Sequence, residues 1–478
     1  MNDVNSAILS PATGWLIIAI FSVGWVLLGW WFGRRNETLE DYMLAGRNVG
    51  LALATATAMA TWVTSNTTMA APQLALSLGI WGMVGYSLGA VGLLLFAPLA
   101  KRIRELMPGG FTSGDFIRQR YGDTAWRIFL LISFCYALGW LVSMGMAGGV
   151  LIHALTGIDY RFGMTVIIVI CVGYTLLGGL RAVIGTDFIQ TLIILSGVGI
   201  LAWLSIQRLG FDEIHDAVTA RRPELLNLMM PAALMFLFNN LLFGAGEIFH
   251  SNVWWSRALA FREGIGFRAY FIAGLLWAPV PVVAGFVALS VPALDLNVPS
   301  PDMVGPMVAA ELLGSGGAVL VFIVVFAALA SSLDSLLAAT SDLILKDVYQ
   351  GHVRPNASAE HLNRIAPYTV LGLGAATWCL CLPRLATLAG VLQFLGAFVA
   401  STIWPIAAGL YSRKTNPRAA SAAMVSGTVL GLTAYYTIGF YVAALVSASV
   451  SMLVVLAGTA LAPRDFAWEK LAHVEVRS

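Results

Sequence analysis

The stretch Phe326-Ala-Ala-Leu-Ala-Ser-Ser-Leu-Asp-Ser-Leu-Leu-Ala-Ala-Thr-Ser341 continues an apolar run that begins near Gly317. Together they are long enough to form a helix that crosses a membrane. The positions spaced i, i+3, i+4 and i+7, which share one helix face, are Ala328, Ser331, Ser332 and Ser335. Hydroxyl and carbonyl oxygens are the ligands that small hard cations accept. The stripe therefore predicts either a cation site or serines that bond back to carbonyl groups one turn earlier.

Composition sets the class of the protein. Of its 478 residues 59% are hydrophobic and only 11% are charged, and the mean hydropathy is +0.82. These values predict an all-α polytopic membrane protein, because backbone groups in lipid must be satisfied within helices. The net charge of +2 gives no reason to expect a nucleic-acid partner. The sequence has no metal-binding or nucleophile–base pattern, so we expect neither an enzyme nor a cofactor.

Apolar runs and their breaks predict about thirteen membrane spans in one transmembrane domain that covers residues 1–478. The expected spans lie near 13–33, 49–76, 79–100, 124–154, 161–179, 181–206, 229–249, 267–292, 316–345, 366–383, 385–411, 418–438 and 440–462. They group into an extra N-terminal helix (13–33), two five-helix repeats (49–206 and 229–411) and two C-terminal helices (418–462).

Lysine and arginine positions predict the orientation. With the N-terminus outside, most of the 27 basic residues, including Arg34, Arg35 and Arg477, fall on the inner side. The exceptions are Arg161, Arg208, Arg221, Arg222 and Arg384. The positive-inside rule therefore predicts an external N-terminus and a cytoplasmic C-terminus in a multi-pass protein of the cell membrane.

Two spans have the composition of broken helices. The stretch 55–72 is crowded with threonine and serine and closes on Pro72, so we expect a break near residue 61. The stretch 238–250 combines asparagines, glycines and a glutamate and is a second candidate. Transporters place discontinuous helices at their binding sites, and the five-helix spacing is that of an inverted repeat. A further kink is expected near residue 405.

Several other polar residues have two interpretations at this stage. Asp187 either couples to an ion or pairs with Arg181 within two turns of its own helix. Arg257, which follows two tryptophans, is interpreted as a snorkelling arginine of an interfacial aromatic belt. Tyr136 and Trp140 could line a pocket, but each is better interpreted as a core aromatic.

Four motifs, in this order along residues 40–420, resemble the sodium:solute symporter family. They are Glu40-Asp-Tyr-Met-Leu-Ala-Gly-Arg47, Leu177-Gly-Gly-Leu-Arg-Ala-Val-Ile-Gly-Thr-Asp-Phe-Ile-Gln190, Trp255-Ser-Arg-Ala-Leu-Ala260, and Ala328-Leu-Ala-Ser-Ser-Leu-Asp-Ser335 followed by Asp347-Val-Tyr349. The resemblance implies a LeuT-type fold of five plus five helices and secondary active transport.

The resemblance also implies ion sites. The family's main sodium site corresponds here to the carbonyl groups of Ala60, Val63 and Ala328 and the side chains of Ser331 and Ser332. Some members bind a second cation at positions that match Asp187, Ser331 and Ser335. Asp334 departs from that pattern, since those members have serine there, so this position predicts either a stronger second cation site or a bound proton.

The substrate is predicted from the branch that the sequence most resembles, the urea/polyamine transporters. The candidate solute contacts are Trp62, Thr64, Ser65, Asn66, Thr67, Glu247, Asn252, Trp254 and Gln393. Glu247 would suit an amine if it faces the cavity, Gln393 would equally suit a bond between helices, and no cation is expected in the membrane to pair with a carboxylate substrate.

We therefore expect sodium-coupled symport of a small polar solute, such as urea or another small amide or amine, by alternating access in a lipid bilayer. The alternatives are a proton-coupled symporter or an uncoupled channel, and a carboxylate, amino acid or sugar as substrate. The sequence does not indicate an oligomeric state.

Overall fold

The computed structural model describes residues 9–33, 38–384 and 386–472. Arg34, Arg35 and Arg477 lie outside these ranges, as do the first and last residues of the predicted domain. Within the described ranges the chain is helical and has no strand, apart from an isolated parallel bridge between Val49 and Phe261. This confirms the all-α prediction.

The α-helices are α1 (Pro11–Gly33), α2 (Leu39–Leu44), α3 (Leu51–Trp62), α4 (Ser65–Leu78), α5 (Ile80–Ser87), α6 (Ala90–Leu106), α7 (Ser113–Tyr121), α8 (Asp123–Thr156), α9 (Tyr160–Leu209), α10 (Phe211–Arg221), α11 (Pro231–His250), α12 (Asn252–Ala260), α13 (Gly266–Trp277), α14 (Pro279–Ala288), α15 (Val291–Leu294), α16 (Val304–Leu343), α17 (Ala359–Cys381), α18 (Leu388–Ala400), α19 (Ile403–Tyr411), α20 (Pro417–Thr437), α21 (Ala443–Leu461) and α22 (Glu469–Ala472). A π-helical segment, Ile344–Val353, continues α16.

Nine helical segments of the described ranges are long and apolar enough to cross a membrane. Shorter apolar helices, among them Leu51–Trp62, complete the bundle, and a total of about thirteen spans stays a prediction. Two long helices are interrupted at a glycine, and the first of these interruptions lies between two predicted spans. Gly179 (φ 52°) interrupts α9, and Gly314 (φ 62°) interrupts α16 just before the predicted start at 316.

Both predicted broken helices are broken, each a few residues from the expected place. The first break separates α3 from α4 at Val63 and Thr64, whose ψ angles are 84° and 169°. The second separates α11 from α12 at Ser251 (ψ 130°), so the helix is continuous through 238–250. That stretch stays helical because its polar side chains bond to neighbouring helices; Asn240, for example, donates to the carbonyl of Gly85 at 2.9 Å. The kink expected near 405 is the turn at 401–402 between α18 and α19.

Backbone hydrogen bonds join the first broken helix to the second. The amide of Val49, just before α3, donates to the carbonyl of Ala260 at 3.2 Å, and the amide of Arg262 donates to the carbonyl of Val49 at 3.0 Å. This bridge connects the start of α3 to the end of α12.

Glycine allows α11 to cross very close to the turn between α5 and α6. A Cβ atom added to Gly244 would lie 2.7 Å from the Cα of Gly89, and one added to Gly92 would lie 2.5 Å from the carbonyl oxygen of Gly244. No side chain fits at these positions without moving a helix. The crossing therefore fixes α11 against one wall of the central cavity described below.

Candidate cation and solute sites

The first break is held open by reciprocal capping of α4. The amide of Thr67 donates to the Thr64 hydroxyl and the amide of Thr64 to the Thr67 hydroxyl, both at 3.2 Å. In a continuous helix the Thr64 amide would bond to the carbonyl of Ala60. Because of the capping box, the Thr64 amide does not bond to the carbonyl of Ala60. In the same way, the Thr67 amide bonds to the carbonyl of Thr64 and not to that of Val63. Carbonyl oxygens become available for other ligands deep in the protein.

The serine stripe of α16 meets this break. The Ser332 hydroxyl lies 3.1 Å from the carbonyl oxygen of Thr61 and 3.0 Å from that of Ala328. All three residues are buried. The carbonyl of α3 that contacts Ser332 belongs to Thr61, which lies between the predicted ligands Ala60 and Val63. Oxygen atoms from two helices that are far apart in sequence therefore converge, while Ser332 and Ser335 also bond back to carbonyl groups one turn earlier, which was the alternative interpretation of the stripe.

Ser331, the other predicted hydroxyl, donates to the Oδ1 atom of Asp187. Asp187 does not pair with Arg181, which instead forms an ion pair with Asp41 on α2. The partner of Asp187 is Arg257, at 3.3 Å between Oδ2 and Nη2. The proposed intrahelical pair is thus wrong, because Arg181 lies close to α2 and can reach its carboxylate.

Arg257 is not an interfacial arginine. Its side chain is fully buried, and its guanidinium also donates to the hydroxyls of Thr57 (3.0 Å) and Ser335 (2.7 Å). Arg257 is therefore a cation buried inside the protein. Arg257 is neutralised by Asp187, however, so it does not present a free positive charge to a carboxylate substrate.

The residues predicted for a second cation site therefore surround a guanidinium. Asp187 and Ser335 both bond to Arg257, which supplies the positive charge that a second metal ion would supply. Asp334 is also fully buried, and neither of its carboxylate oxygens has a hydrogen-bond partner among the described residues. With Arg257 in this position, the site does not fit a second metal cation bound between Asp187 and Ser335.

A cavity of about 240 Å³ lies beside the first break. It is lined by Trp62, Thr64, Thr67, Tyr86, Gly89, Trp140, Asn240, Phe243 and Trp277. The rings of Trp62 and Trp140 are nearly parallel, at 8°, with centroids 6.2 Å apart. Hydroxyl groups and one amide supply the polar contacts, and no charged side chain lines the cavity. Such a site suits a small, neutral, planar solute that both donates and accepts hydrogen bonds.

Glu247 and Trp254 lie next to this cavity rather than in its wall. The Trp254 ring contacts the edge of Trp62, with centroids 5.6 Å apart, and its Nε1 donates to Glu247 Oε2 at 2.9 Å. The Tyr136 hydroxyl donates to Glu247 Oε1. Beyond Tyr136 lies a second cavity of about 220 Å³, whose wall includes Ser133, Tyr136, His250, Ser251 and Asn252.

The structure places four more of the predicted solute contacts outside the first cavity. Asn66 accepts from Ser143, and Ser65 is buried beside it without a side-chain partner in the described residues. Asn252 accepts from the amide of Ser113 and donates to the carbonyl of Ala339, which suggests a structural role. Gln393 accepts from Asn239 at 2.8 Å, the bond between helices that was its alternative.

The cavity residues that the sequence did not predict as solute contacts are Tyr86, Gly89, Trp140, Asn240, Phe243 and Trp277. Trp140 fits both of its interpretations, because its ring stacks on Trp62 and Phe243 and also lines the cavity. A core aromatic and a pocket aromatic have the same sequence pattern, so only the fold separates them.

Two broken helices, a serine stripe on α16 that meets the first break and a small cavity beside that break are features of a membrane transporter of the LeuT type. The family model of the sodium:solute symporters matches residues 42–427, and the chain belongs to this family of transporters. The solved structure of a Na⁺-coupled sialic acid symporter, in a substrate-bound outward-open state, superimposes with a TM-score of 0.79. The match covers 95% of this chain and 99% of that one at 17% identity, which establishes similarity of fold.

The chain is also similar to curated transporters. It is 27% identical over 480 residues to a urea-proton symporter of Oryza sativa subsp. japonica, covering 90% of this chain and 66% of the rice protein. It is 25% identical over 468 residues to a urea active transporter of Saccharomyces cerevisiae, covering 89% of this chain and 63% of the yeast protein. The chain thus spans about two thirds of the length of these relatives.

Proposed function

We propose that this protein is a secondary active transporter that moves sodium together with a small polar solute across the cell membrane, with its N-terminus outside. The observation that carries the proposal is the contact between the Ser332 hydroxyl and the carbonyl of Thr61 at the break. A cation bound to both helices would draw α3 and α16 together, and its binding energy would favour the conformation that has this geometry.

Urea is the solute that the cavity supports best. The cavity is small, which favours a small solute. Its wall presents the hydroxyl groups of Thr64, Thr67 and Tyr86 beside the Asn240 amide, which itself bonds to Gly85, Tyr86 and Gln393. Trp62 and Trp140 stack on each other, and their aromatic surface gives a planar amide a flat wall to pack against. The similarity to urea transporters also supports urea as the solute.

An uncoupled channel is a weaker candidate, because the bonded side chains of Tyr136, Glu247 and Trp254 separate the two cavities from each other.

The direct test is uptake of labelled urea by proteoliposomes that contain the purified protein. An inward sodium gradient should drive accumulation above equilibrium, and an equal potassium gradient should not. Acetamide should compete with urea, whereas proline and a hexose should not. Equal uptake in sodium and potassium would contradict sodium coupling.

Ser332→Ala tests the cation site. The loss of one oxygen ligand should raise the sodium concentration needed for half-maximal uptake by about tenfold, which corresponds to about 1.4 kcal/mol. Ser426→Ala is the matched control, because Ser426 donates only to a carbonyl one turn earlier on α20. The assignment fails if both variants have the sodium dependence of the unmodified protein.

A further inference from the structure

Glu247 is a carboxylate placed deep in the protein between two cavities. Only 4% of the residue is exposed. Both of its oxygens accept from neutral donors, Oε1 from the Tyr136 hydroxyl and Oε2 from Trp254 Nε1. Neither donor carries a charge. The site therefore satisfies the hydrogen bonds of a carboxylate without neutralising it.

No cation compensates Glu247 among the described residues. The helices around it contribute Tyr136 from α8, Tyr86 from α5 and Trp254 from α12, and its own helix contributes His250. His250 bonds through Nε2 to Ser133 at 3.0 Å rather than to Glu247. A buried carboxylate with no positive partner is strongly disfavoured unless it binds a proton or a cation.

The position of Glu247 connects it to both cavities. Through Trp254 it contacts Trp62 at the solute cavity, and Tyr86 in that wall lies close enough to interact with its charge. Tyr136 lines the second cavity, here called the inner cavity because the predicted orientation places it on the inner side. Ser251, which also lines it, lies beside the Tyr136 hydroxyl. A tyrosine hydroxyl both donates and accepts, so it can relay a proton where the tryptophan N–H cannot.

We propose that Glu247 carries a proton with the solute and that Tyr136 passes this proton to the inner cavity. Glu247 gives its proton to the Tyr136 oxygen while Tyr136 gives its own proton to water that enters the inner cavity. One O–H bond forms and one breaks at Tyr136, which ends unchanged, and Glu247 is left as a carboxylate. This inference rests on the proposed symport and adds a proton site distinct from the sodium ligands.

The test measures solute-driven acidification inside proteoliposomes that contain a pH-sensitive dye, with equal sodium on both sides. Addition of urea outside should acidify the lumen with the unmodified protein. Glu247→Gln keeps the size of the side chain but cannot ionise. Its acidification should fall to the level of empty liposomes, and its urea exchange should become independent of pH. Tyr136→Phe should slow acidification yet keep the pH dependence of exchange, because Glu247 still binds its proton.

Controls separate a proton site from general damage. Glu213→Gln makes the same chemical change at an exposed residue of α10 and should behave as the unmodified protein. Glu247→Asp should restore part of the acidification. Acidification by Glu247→Gln at the unmodified rate would overturn the proposal. The proposal would also be overturned if the unmodified protein accumulated urea on a sodium gradient without acidification. In that case the proposed sodium symport would still stand.

Two other outcomes are informative. If Glu247→Gln loses only the uptake of a protonated amine such as methylammonium, with no proton movement in any variant, Glu247 is a solute contact and the proton site is refuted. If neither a sodium nor a proton gradient drives urea uptake by the unmodified protein, the proposed function fails together with the inference.

Discussion

Arg257 and Asp187 meet where neither side chain has any contact with solvent. Arg257→Gln would leave the Asp187 carboxylate buried without its charged partner, at a cost of about 3–5 kcal/mol in the free energy of unfolding. The double variant Asp187→Asn with Arg257→Gln removes both charges and should recover most of this loss. Thermal unfolding of the purified variants in detergent measures the effect. A single variant as stable as the unmodified protein would contradict the structural importance of this pair.

The Arg257 result also shows where sequence reasoning stops at the residue scale. The tryptophans beside Arg257 are typical of an interface, and its partner Asp187 lies 70 residues away in the chain. Only the packing of α12 against α9 and α16 brings the two charges together. The serine stripe, by contrast, was predictable because helical spacing alone places Ala328, Ser331 and Ser332 on one face.

At the scale of the element, the crossing of α11 over the α5–α6 turn gives a second prediction. Gly244→Ala places a Cβ atom against the backbone of Gly89, so the helices must separate, at a cost of about 1–3 kcal/mol. Because Asn240 and Phe243 on α11 line the solute cavity, the affinity for urea should fall too.

Gly199→Ala is the matched control for this crossing. It lies within α9, and a Cβ atom there has no neighbour within 4 Å. Alanine is a better helix former than glycine, so stability should be unchanged or higher. Equal melting temperatures for Gly244→Ala and the unmodified protein would show that the crossing can relax.

The breaks show how far elements can be read from the sequence. Threonine-rich composition predicted the first break, and the reciprocal capping of Thr64 and Thr67 sets it two residues beyond the expected position. The second break falls at Ser251 because the asparagines and glutamate before it find partners on other helices. Composition identifies a helix with polar residues, whereas tertiary contacts decide whether it breaks.

At the scale of the whole molecule, bound ions and solute should stabilise the fold. A ligand that binds only the folded state raises stability by about 2.7 kcal/mol at one hundred times its dissociation constant. Sodium should therefore raise the melting temperature of the purified protein above its value in potassium. Millimolar urea should raise it further only when sodium is present. A shift of the same size in both salts would argue against a selective sodium site.

The architecture was largely predictable at this scale. Hydropathy predicted an all-helical membrane protein, and the end of one apolar run separated two spans near Gly179, where the structure interrupts α9; the helical residues before the interruption at Gly314 were not predicted. The cavity wall was not predictable, because it is formed by α3, α4, α5, the turn between α5 and α6, α8, α11 and α13. The sequence of one helix does not indicate which aromatic residues of other helices it will face.

The short bridge at Val49 has a mechanical consequence. It joins the start of α3 to the end of α12, so we expect these two segments to move together as one unit. Thr57 lies on α3 and Arg257 on α12. Their bonding partners Asp187 and Ser335 lie on the neighbouring helices α9 and α16. If these segments moved away from α9 and α16, the guanidinium would leave Asp187 and expose that carboxylate next to Ser331. Loss of the buried ion pair would then be coupled to a change beside the proposed cation ligand Ser331.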